Sequence, residues 1–210
     1  MSQQSLIIGL TGNIATGKST VLAYLGRMGA HIVDADKLAH AAMAVDGEAY
    51  QAIVDEFGPG ILNPDGAINR HALGRIVFAD ARTLGRLERI VHPAVFVLLR
   101  QEIEASSSPL VVVEAVKLLE AGPMVSLCDE IWVVTADPVV QLQRLMGMRE
   151  MDLVQAKQRM QMQSPQAAKV NQADRVIDNS GTLDELHAQL DRTWQDLKQR
   201  YPRRMGILAV

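Results

Sequence analysis

Gly9-Leu10-Thr11-Gly12-Asn13-Ile14-Ala15-Thr16-Gly17-Lys18-Ser19-Thr20 is the stretch whose reading decides the fold. It holds Gly12-x-x-x-x-Gly17-Lys18-Ser19, the Walker A spacing, directly after the apolar run Leu6-Ile7-Ile8, which reads as a buried strand. Gly12 and Gly17 let the backbone take dihedrals that a Cβ disfavours, so the amides of residues 15 to 20 can turn inward around phosphate. A helix starting near Lys18 aims the positive end of its dipole at the same place. Lys18 can then reach the β- and γ-phosphates, the Ser19 hydroxyl can ligate Mg²⁺, and Thr20 closes the first helical turn. The bland reading is a glycine-rich turn with an incidental Gly-Lys-Ser. The agreement of strand, glycine spacing and helix stands against it.

Composition narrows the class. The chain has 210 residues, enough for one α/β core with an insertion, and 48% of them are hydrophobic, which argues for a packed protein rather than a disordered one. A net charge of −3 leaves no electrostatic footprint for general nucleic-acid binding. Cys128 is the only cysteine, so neither an intrachain disulfide nor a cysteine-rich zinc site is expected. The chain does not start with a basic region followed by a long apolar core, and no apolar run approaches membrane-spanning length. The expectation is a soluble cytoplasmic protein without membrane or nucleic-acid partners, a monomer or weak homo-oligomer.

Outward from the loop, Val21 to Met28 continues the helix and Gly29 ends it. Ala30-His31-Ile32-Val33 reads as a second strand, delivering Asp34-Ala35-Asp36 to the strand end where ligands sit in open parallel sheets. Both carboxylates are candidates for chemistry; the alternative is that Asp34 or Asp36 merely caps a helix over Lys37 to Met43. From Ala41 to about Ser108 the pattern is helical, with Asn63-Pro64-Asp65-Gly66 a strong turn signal and helices expected over Arg70 to Phe78, Arg82 to Val91 and Pro93 to Ala105. Such an insertion suits a second substrate.

Leu110-Val111-Val112-Val113 is a third strand ending in Glu114, where a Walker B acid would approach a metal directly or through water. Glu130-Ile131-Trp132-Val133-Val134 is a fourth, and Asp137-Pro138 opens a helix bearing Arg144 and Arg149. Glu150 to Ala173, with Arg159, Gln163 and Lys169, reads as a mobile helical lid or, more blandly, a solvated hairpin. Arg175-Val176-Ile177 is a fifth strand, followed by Asp178-Asn179 and a capping box, Thr182-Leu183-Asp184-Glu185, that opens the last helix. The tail from Tyr201 looks frayed.

Several separated stretches together resemble the dephospho-coenzyme A kinases, over Leu6 to about Leu197. They are the loop through Thr20, Val33-Asp34-Ala35-Asp36, Ile68-Asn69-Arg70 with Leu73 and Phe78, and Leu87-Glu88-Arg89-Ile90-Val91-His92-Pro93. Gln141-Leu142-Gln143-Arg144 and Ala173-Asp174 with Val176-Ile177-Asp178-Asn179 complete the set. The resemblance implies a P-loop kinase: a three-layer α/β/α unit with a five-stranded parallel sheet, a helical substrate-binding insertion and a helical lid. Its core would span about 5–40, 109–149 and 174–200, the insertion about 41–108 and the lid about 150–173. It also implies ATP-dependent phosphorylation of the ribose 3′-hydroxyl of dephospho-CoA, with Mg²⁺.

By the same resemblance Asp36 is the base, and Arg144, with Arg149, stabilises phosphate. Asn179 lies near the adenine. Asp34, Arg70 and His92 are assigned to the acceptor side, and Ser19 and Glu114 to the metal. Gly12, Asn13, Ala15, Thr16, Gly17, Lys18, Ser19 and Thr20 form the nucleotide loop. The chain departs from the family pattern in three places. Gly-Gly-Ile-Gly-Ser-Gly-Lys is here Gly12-Asn13-Ile14-Ala15-Thr16-Gly17-Lys18, where Asn13 tolerates positive φ and Ala15 implies an ordinary dihedral. Asp-x-Pro-Leu-Leu-Phe-Glu is here Glu114-Ala115-Val116-Lys117-Leu118-Leu119-Glu120, and His40 stands where arginine is common.

Three rivals share part of this pattern: another small-molecule kinase, such as one for nucleosides or nucleotides, a GTP-dependent switch, and a non-catalytic nucleotide-binding regulator. Against the switch, Asp55-Glu56-Phe57-Gly58 matches Asp-x-x-Gly only at a helix end, and no Asn-Lys-x-Asp is present. A regulator would keep Lys18 without needing Asp36.

Overall fold

The computed structural model describes residues 5–120, 122–149 and 151–206. Its five-stranded sheet has the order β2-β3-β1-β4-β5, formed by β1 (Leu6–Gly12), β2 (His31–Asp34), β3 (Leu110–Glu114), β4 (Glu130–Thr135) and β5 (Arg175–Asp178). The pairings of β1 with β3, β1 with β4 and β4 with β5 are parallel, with Leu6 opposite Leu110 and Ile8 opposite Glu130. A parallel sheet covered on both faces needs continuous apolar strands, and β1 and β4 are buried along their whole lengths. Gly9 has a packing reason: a Cβ there would lie 2.6 Å from Leu118 Cδ2 and 2.8 Å from Cys128 Sγ.

The chain divides into two compact units, residues 1–33 with 106–210, and residues 34–105. In the first, α1 (Lys18–Arg27) and α9 (Leu183–Arg200) bury Val21, Tyr24, Leu25, Leu186, Leu190, Trp194 and Leu197 in a cluster with Leu6, Ile8, Leu10, Trp132 and Ile177. The expected capping box is present, with the Thr182 hydroxyl accepting from the Glu185 amide and the Glu185 carboxylate accepting from the Thr182 amide. α6 (Pro138–Arg149), α7 (Leu153–Gln161) and α8 (Gln166–Val170) complete this unit, with Ser164-Pro165 between the last two. The expectation of a frayed tail is corrected through residue 206: Met205 joins the core cluster and Arg204 pairs with Asp129 at 2.5 Å.

In the unit of residues 34–105, α2 (Ala35–Ala42) starts two residues before the expected Lys37, because Asp34 caps it: its Oδ1 accepts from the Lys37 amide at 3.0 Å. α3 (Tyr50–Phe57), α4 (Arg70–Val77) and α5 (Ala81–Ala105) follow. The Asn63–Gly66 turn is made, with the Gly66 amide donating to Asn63 O, and Leu62 and Ile68 form an antiparallel bridge. The two helices expected over 82–91 and 93–105 are one, α5, with Pro93 inside it. Proline removes one helical donor, and burial of Val91, Ala94, Val95 and Leu99 on both sides of it keeps the helix continuous. Among the described residues no helix is long and apolar enough to cross a membrane.

Candidate functional site

The loop that follows β1 is held by side chains of its own stretch and by those of Asn179 and Arg144. Thr16 donates its hydroxyl to Asn13 O at 2.9 Å, Lys18 Nζ donates to Gly12 O at 3.0 Å, and Asn179 Nδ2 donates to Thr16 O at 2.8 Å. Arg144 on α6 donates to Ala15 O at 3.3 Å and Thr16 O at 3.4 Å, and its other nitrogen to Asn179 O at 2.9 Å. These bonds fix the loop at the start of α1, within which the Thr16 amide also donates to Asn13 O at 3.4 Å and the Thr20 amide to Gly17 O at 3.0 Å. Gly17 at φ 91 tolerates no side chain, because a Cβ would come 2.0 Å from Asn179 Nδ2; at Gly12 it would come 2.4 Å from Val134 O.

Ala15 has φ 58, the one non-glycine among the described residues with positive φ. This corrects the expectation of an ordinary dihedral there. Besides Gly17, the left-handed position in this loop falls on Ala15 rather than Asn13, although asparagine tolerates it better.

Glu114 ends β3 with its Oε1 3.7 Å from Lys18 Nζ, both side chains largely shielded. A carboxylate and the Ser19 hydroxyl are hard oxygen donors, the donor type that suits Mg²⁺. Beyond Glu114, the Val116 carbonyl accepts from Thr11 Oγ1 at 3.1 Å and from Lys169 Nζ at 3.0 Å. Lys169, expected on a lid, is buried, with its ammonium on the Val116 carbonyl. Neither donor was singled out for this role; the available hint was a threonine inside an otherwise apolar strand. Gln163, also read as a lid residue, accepts from the Ile14 amide at 2.6 Å, and Asn13 Nδ2 donates to Ser164 O at 3.0 Å. The α7 residues Gln155, Gln158 and Arg159, with Met151 and Met162, line a cavity of about 510 Å³. Arg149 closes α6, and its side chain lies outside the described residues, as do residue 150 and the tail beyond 206. Burial, with the neighbouring Asp129 charge, pushes the Cys128 thiol up to about 12, so it is no thiolate nucleophile at neutral pH.

In the unit of residues 34–105, Asp36 lies exposed in the first turn of α2. Asp34 is engaged by its cap and by an ion pair with Lys37 at 3.2 Å. Arg70 opens α4 behind the Asn69 cap and meets His40 Nε2 at 2.5 Å, so His40 is partnered with an acceptor-side candidate. His92 sits in α5, immediately before Pro93.

A Walker A loop at the C-terminal edge of a parallel sheet in the order β2-β3-β1-β4-β5, with Lys18 and Arg144 at that loop, defines a P-loop kinase. Comparison narrows the class. A family model described as dephospho-CoA kinase matches residues 6–185, and the chain belongs to that family. A dephospho-CoA kinase of Geobacter sulfurreducens is 44% identical over 93% of this chain and 99% of its own length. Among solved structures, TT1252 from Thermus thermophilus superposes with a TM-score of 0.78 at 32% identity, covering 92% of this chain and 98% of that one. A dephospho-CoA kinase from Campylobacter jejuni, at 24% identity and a TM-score of 0.66 over 92% and 97% of the two chains, shares the fold.

Proposed function

We propose that this protein transfers the γ-phosphate of ATP to the ribose 3′-hydroxyl of dephospho-CoA, giving coenzyme A and ADP, in the cytoplasm. The observation that carries the reading is the preformed loop, whose Ala15 and Thr16 carbonyls are bound by Arg144 and whose Lys18 stands between Gly12 O and Glu114. In this reading the amides of residues 15 to 20 and Lys18 hold the triphosphate, and Asn179 supports the loop beside the adenine. Ser19 and Glu114 would hold Mg²⁺, which when bound neutralises charge on the phosphates. Arg144, with Arg149, stabilises charge on the transferred group. Asp36 accepts the proton of the attacking hydroxyl, and Asp34, Arg70 and His92 serve the acceptor. Residues about 41–108 act as the acceptor-binding insertion and about 150–173 as the lid. Phosphoryl transfer needs position and electrostatics rather than a covalent intermediate, so no nucleophilic side chain is required.

The test is turnover of ATP with dephospho-CoA, adenosine, nucleoside monophosphates and no acceptor, for the parent and Asp36→Asn. The expected result is turnover with dephospho-CoA alone and a loss of roughly 10²–10⁴-fold in kcat for the variant, the range for removal of a general base. Faster turnover with a nucleoside monophosphate would overturn the acceptor, and equal activity of parent and variant would remove Asp36 from its role.

A further inference from the structure

Two hydrogen bonds join the tip of the nucleotide loop to the segment between α7 and α8. The Ile14 amide donates to Gln163 Oε1 at 2.6 Å, and Asn13 Nδ2 donates to the Ser164 carbonyl at 3.0 Å. They are reciprocal, one backbone donor with one side-chain donor, across two adjacent residues on each side. The second needs a side chain at position 13, which a glycine there would not supply. Ile14 precedes residues 15 to 20, whose amides the kinase reading assigns to the nucleotide, so this junction occupies none of those donors. Past Ser164, the Lys169 bond to Val116 O and the Gln166 Oε1 acceptor for the Ala136 amide, at 3.4 Å, tie α8 to the ends of the strands.

We infer that Asn13 and Gln163 are positioning residues, a latch that couples the nucleotide loop to the segment carrying α7. The latch is finely balanced. It makes two hydrogen bonds, but it leaves Asn13 Oδ1 buried without a partner, a desolvation cost comparable in size to what a hydrogen bond returns. A contact so balanced is tipped by anything that adds contacts to the loop. The loop is already formed by its bonds to Arg144, Asn179 and Lys18, and nucleotide seated on residues 15 to 20 holds Asn13 and Ile14 more firmly in place, so that the held pair holds Gln163 and Ser164. By linkage, a held Gln163 in turn favours the nucleotide. Arg159, on α7 with Gln155 and Gln158 along the cavity, is thereby kept in register with the loop.

The inference rests on the kinase reading only for the identity of the nucleotide, and its test uses ADP with Mg²⁺ and no acceptor. Calorimetry on the full chain compares the parent with Asn13→Gly, Gln163→Met and the double variant. Each single change is expected to weaken ADP about 10-fold, equivalent to about 1.4 kcal/mol. The double variant should also be weaker by about 10-fold rather than about 100-fold, because the two bonds act as one unit. Hydrogen exchange supplies the readout that a merely structural role would not move. Protection of the Ile14 amide should rise when ADP is added to the parent and should not respond to ADP in Gln163→Met, whereas an uncoupled bond would protect it equally with and without ADP. Unchanged ADP affinity, or losses that multiply in the double variant, would overturn the latch. A parent that binds ADP and supports the latch results, yet leaves dephospho-CoA untouched, would sink the acceptor reading alone. A parent that binds no ADP would sink both.

Discussion

Ala15 shows how a single residue carries the loop's geometry. At φ 58 its Cβ is crowded by the following carbonyl, a strain of about 1 kcal/mol that glycine does not have. The loop keeps it because Arg144 binds the Ala15 and Thr16 carbonyls and Asn179 binds Thr16 O again, so the surroundings over-determine the conformation. Ala15→Gly should therefore retain kcat and the KM for ATP within about 2-fold, with stability changed by less than about 1 kcal/mol. Ala15→Val puts a β-branched side chain at the same φ and should weaken ATP by about 10-fold or more. Steady-state kinetics of the two variants decides it; equal losses would mean that side-chain size rather than φ is what the position restricts. The residue types of the loop were legible in the sequence because each donor has a chemical reason to be there. Which residue holds the left-handed dihedral was not legible, since Asn13 is the better local choice and is instead committed to Ser164 O by a contact distant in sequence.

At the scale of elements, strands were more legible than helix starts. The central strands β1, β3 and β4 declare themselves by continuous apolar runs, which a parallel sheet covered on both faces needs. The start of the last helix declared itself by its capping box at Thr182, whereas the caps at Asp34, Asn69 and Asp152, each accepting from an amide three residues on, are clear only once the structure is known. Pro93 misled because the local rule, that proline ends a helix, is outweighed by burial of α5 on either side of it. The polar segment after α6 misled about Lys169, because a lysine reads as surface until the carbonyl that receives it is known. Tight packing at Gly9 gives the element-scale prediction. Gly9→Ala drives a methyl to within 3 Å of Leu118, Cys128 and Ile131 side-chain atoms, and overpacking of this kind costs roughly 1–3 kcal/mol. The expected fall in Tm is about 3–10 °C by thermal unfolding. Adding Cys128→Ala removes one of the three obstructing atoms and should recover part of that fall; no recovery would show that the backbone, not the Cys128 sulfur, takes up the strain.

At the scale of the molecule, strand order was the least legible feature, because β2-β3-β1-β4-β5 is decided by how crossovers lie over the sheet rather than by any one strand's composition. Nor did the charges that fasten the far end of the sheet stand out. Glu130 is buried at the start of β4, where it accepts from Trp132 Nε1 at 2.8 Å and pairs with Arg200 of α9 at 2.5 Å. Arg200 also binds Asp196, which pairs with Arg175 of β5. Burial pushes the Glu130 carboxyl up, but hydrogen bonds from Arg200, Trp132 and Tyr201 outweigh it, and the net shift is downward. A carboxyl lowered on folding stabilises the protein fully above its unfolded value, about 4.3 for glutamate, and that contribution fades as pH falls through the lower folded value. Glu130→Gln keeps an acceptor for Trp132 and loses the charge opposite Arg200. Breaking a fully buried pair costs about 3–5 kcal/mol, and the half-exposed Arg200, which water can resolvate, brings the expected loss to roughly 1–2 kcal/mol near neutrality. Thermal unfolding from pH 3 to pH 8 should show the variant about 2–8 °C below the parent at pH 6–8. The two curves should converge as pH falls below the unfolded value of about 4.3 and through the lower folded value, where the parent's carboxyl takes up its proton. A gap that stays constant into acid would mean that Glu130 holds β4, β5 and α9 together by shape and hydrogen bonding rather than by its charge.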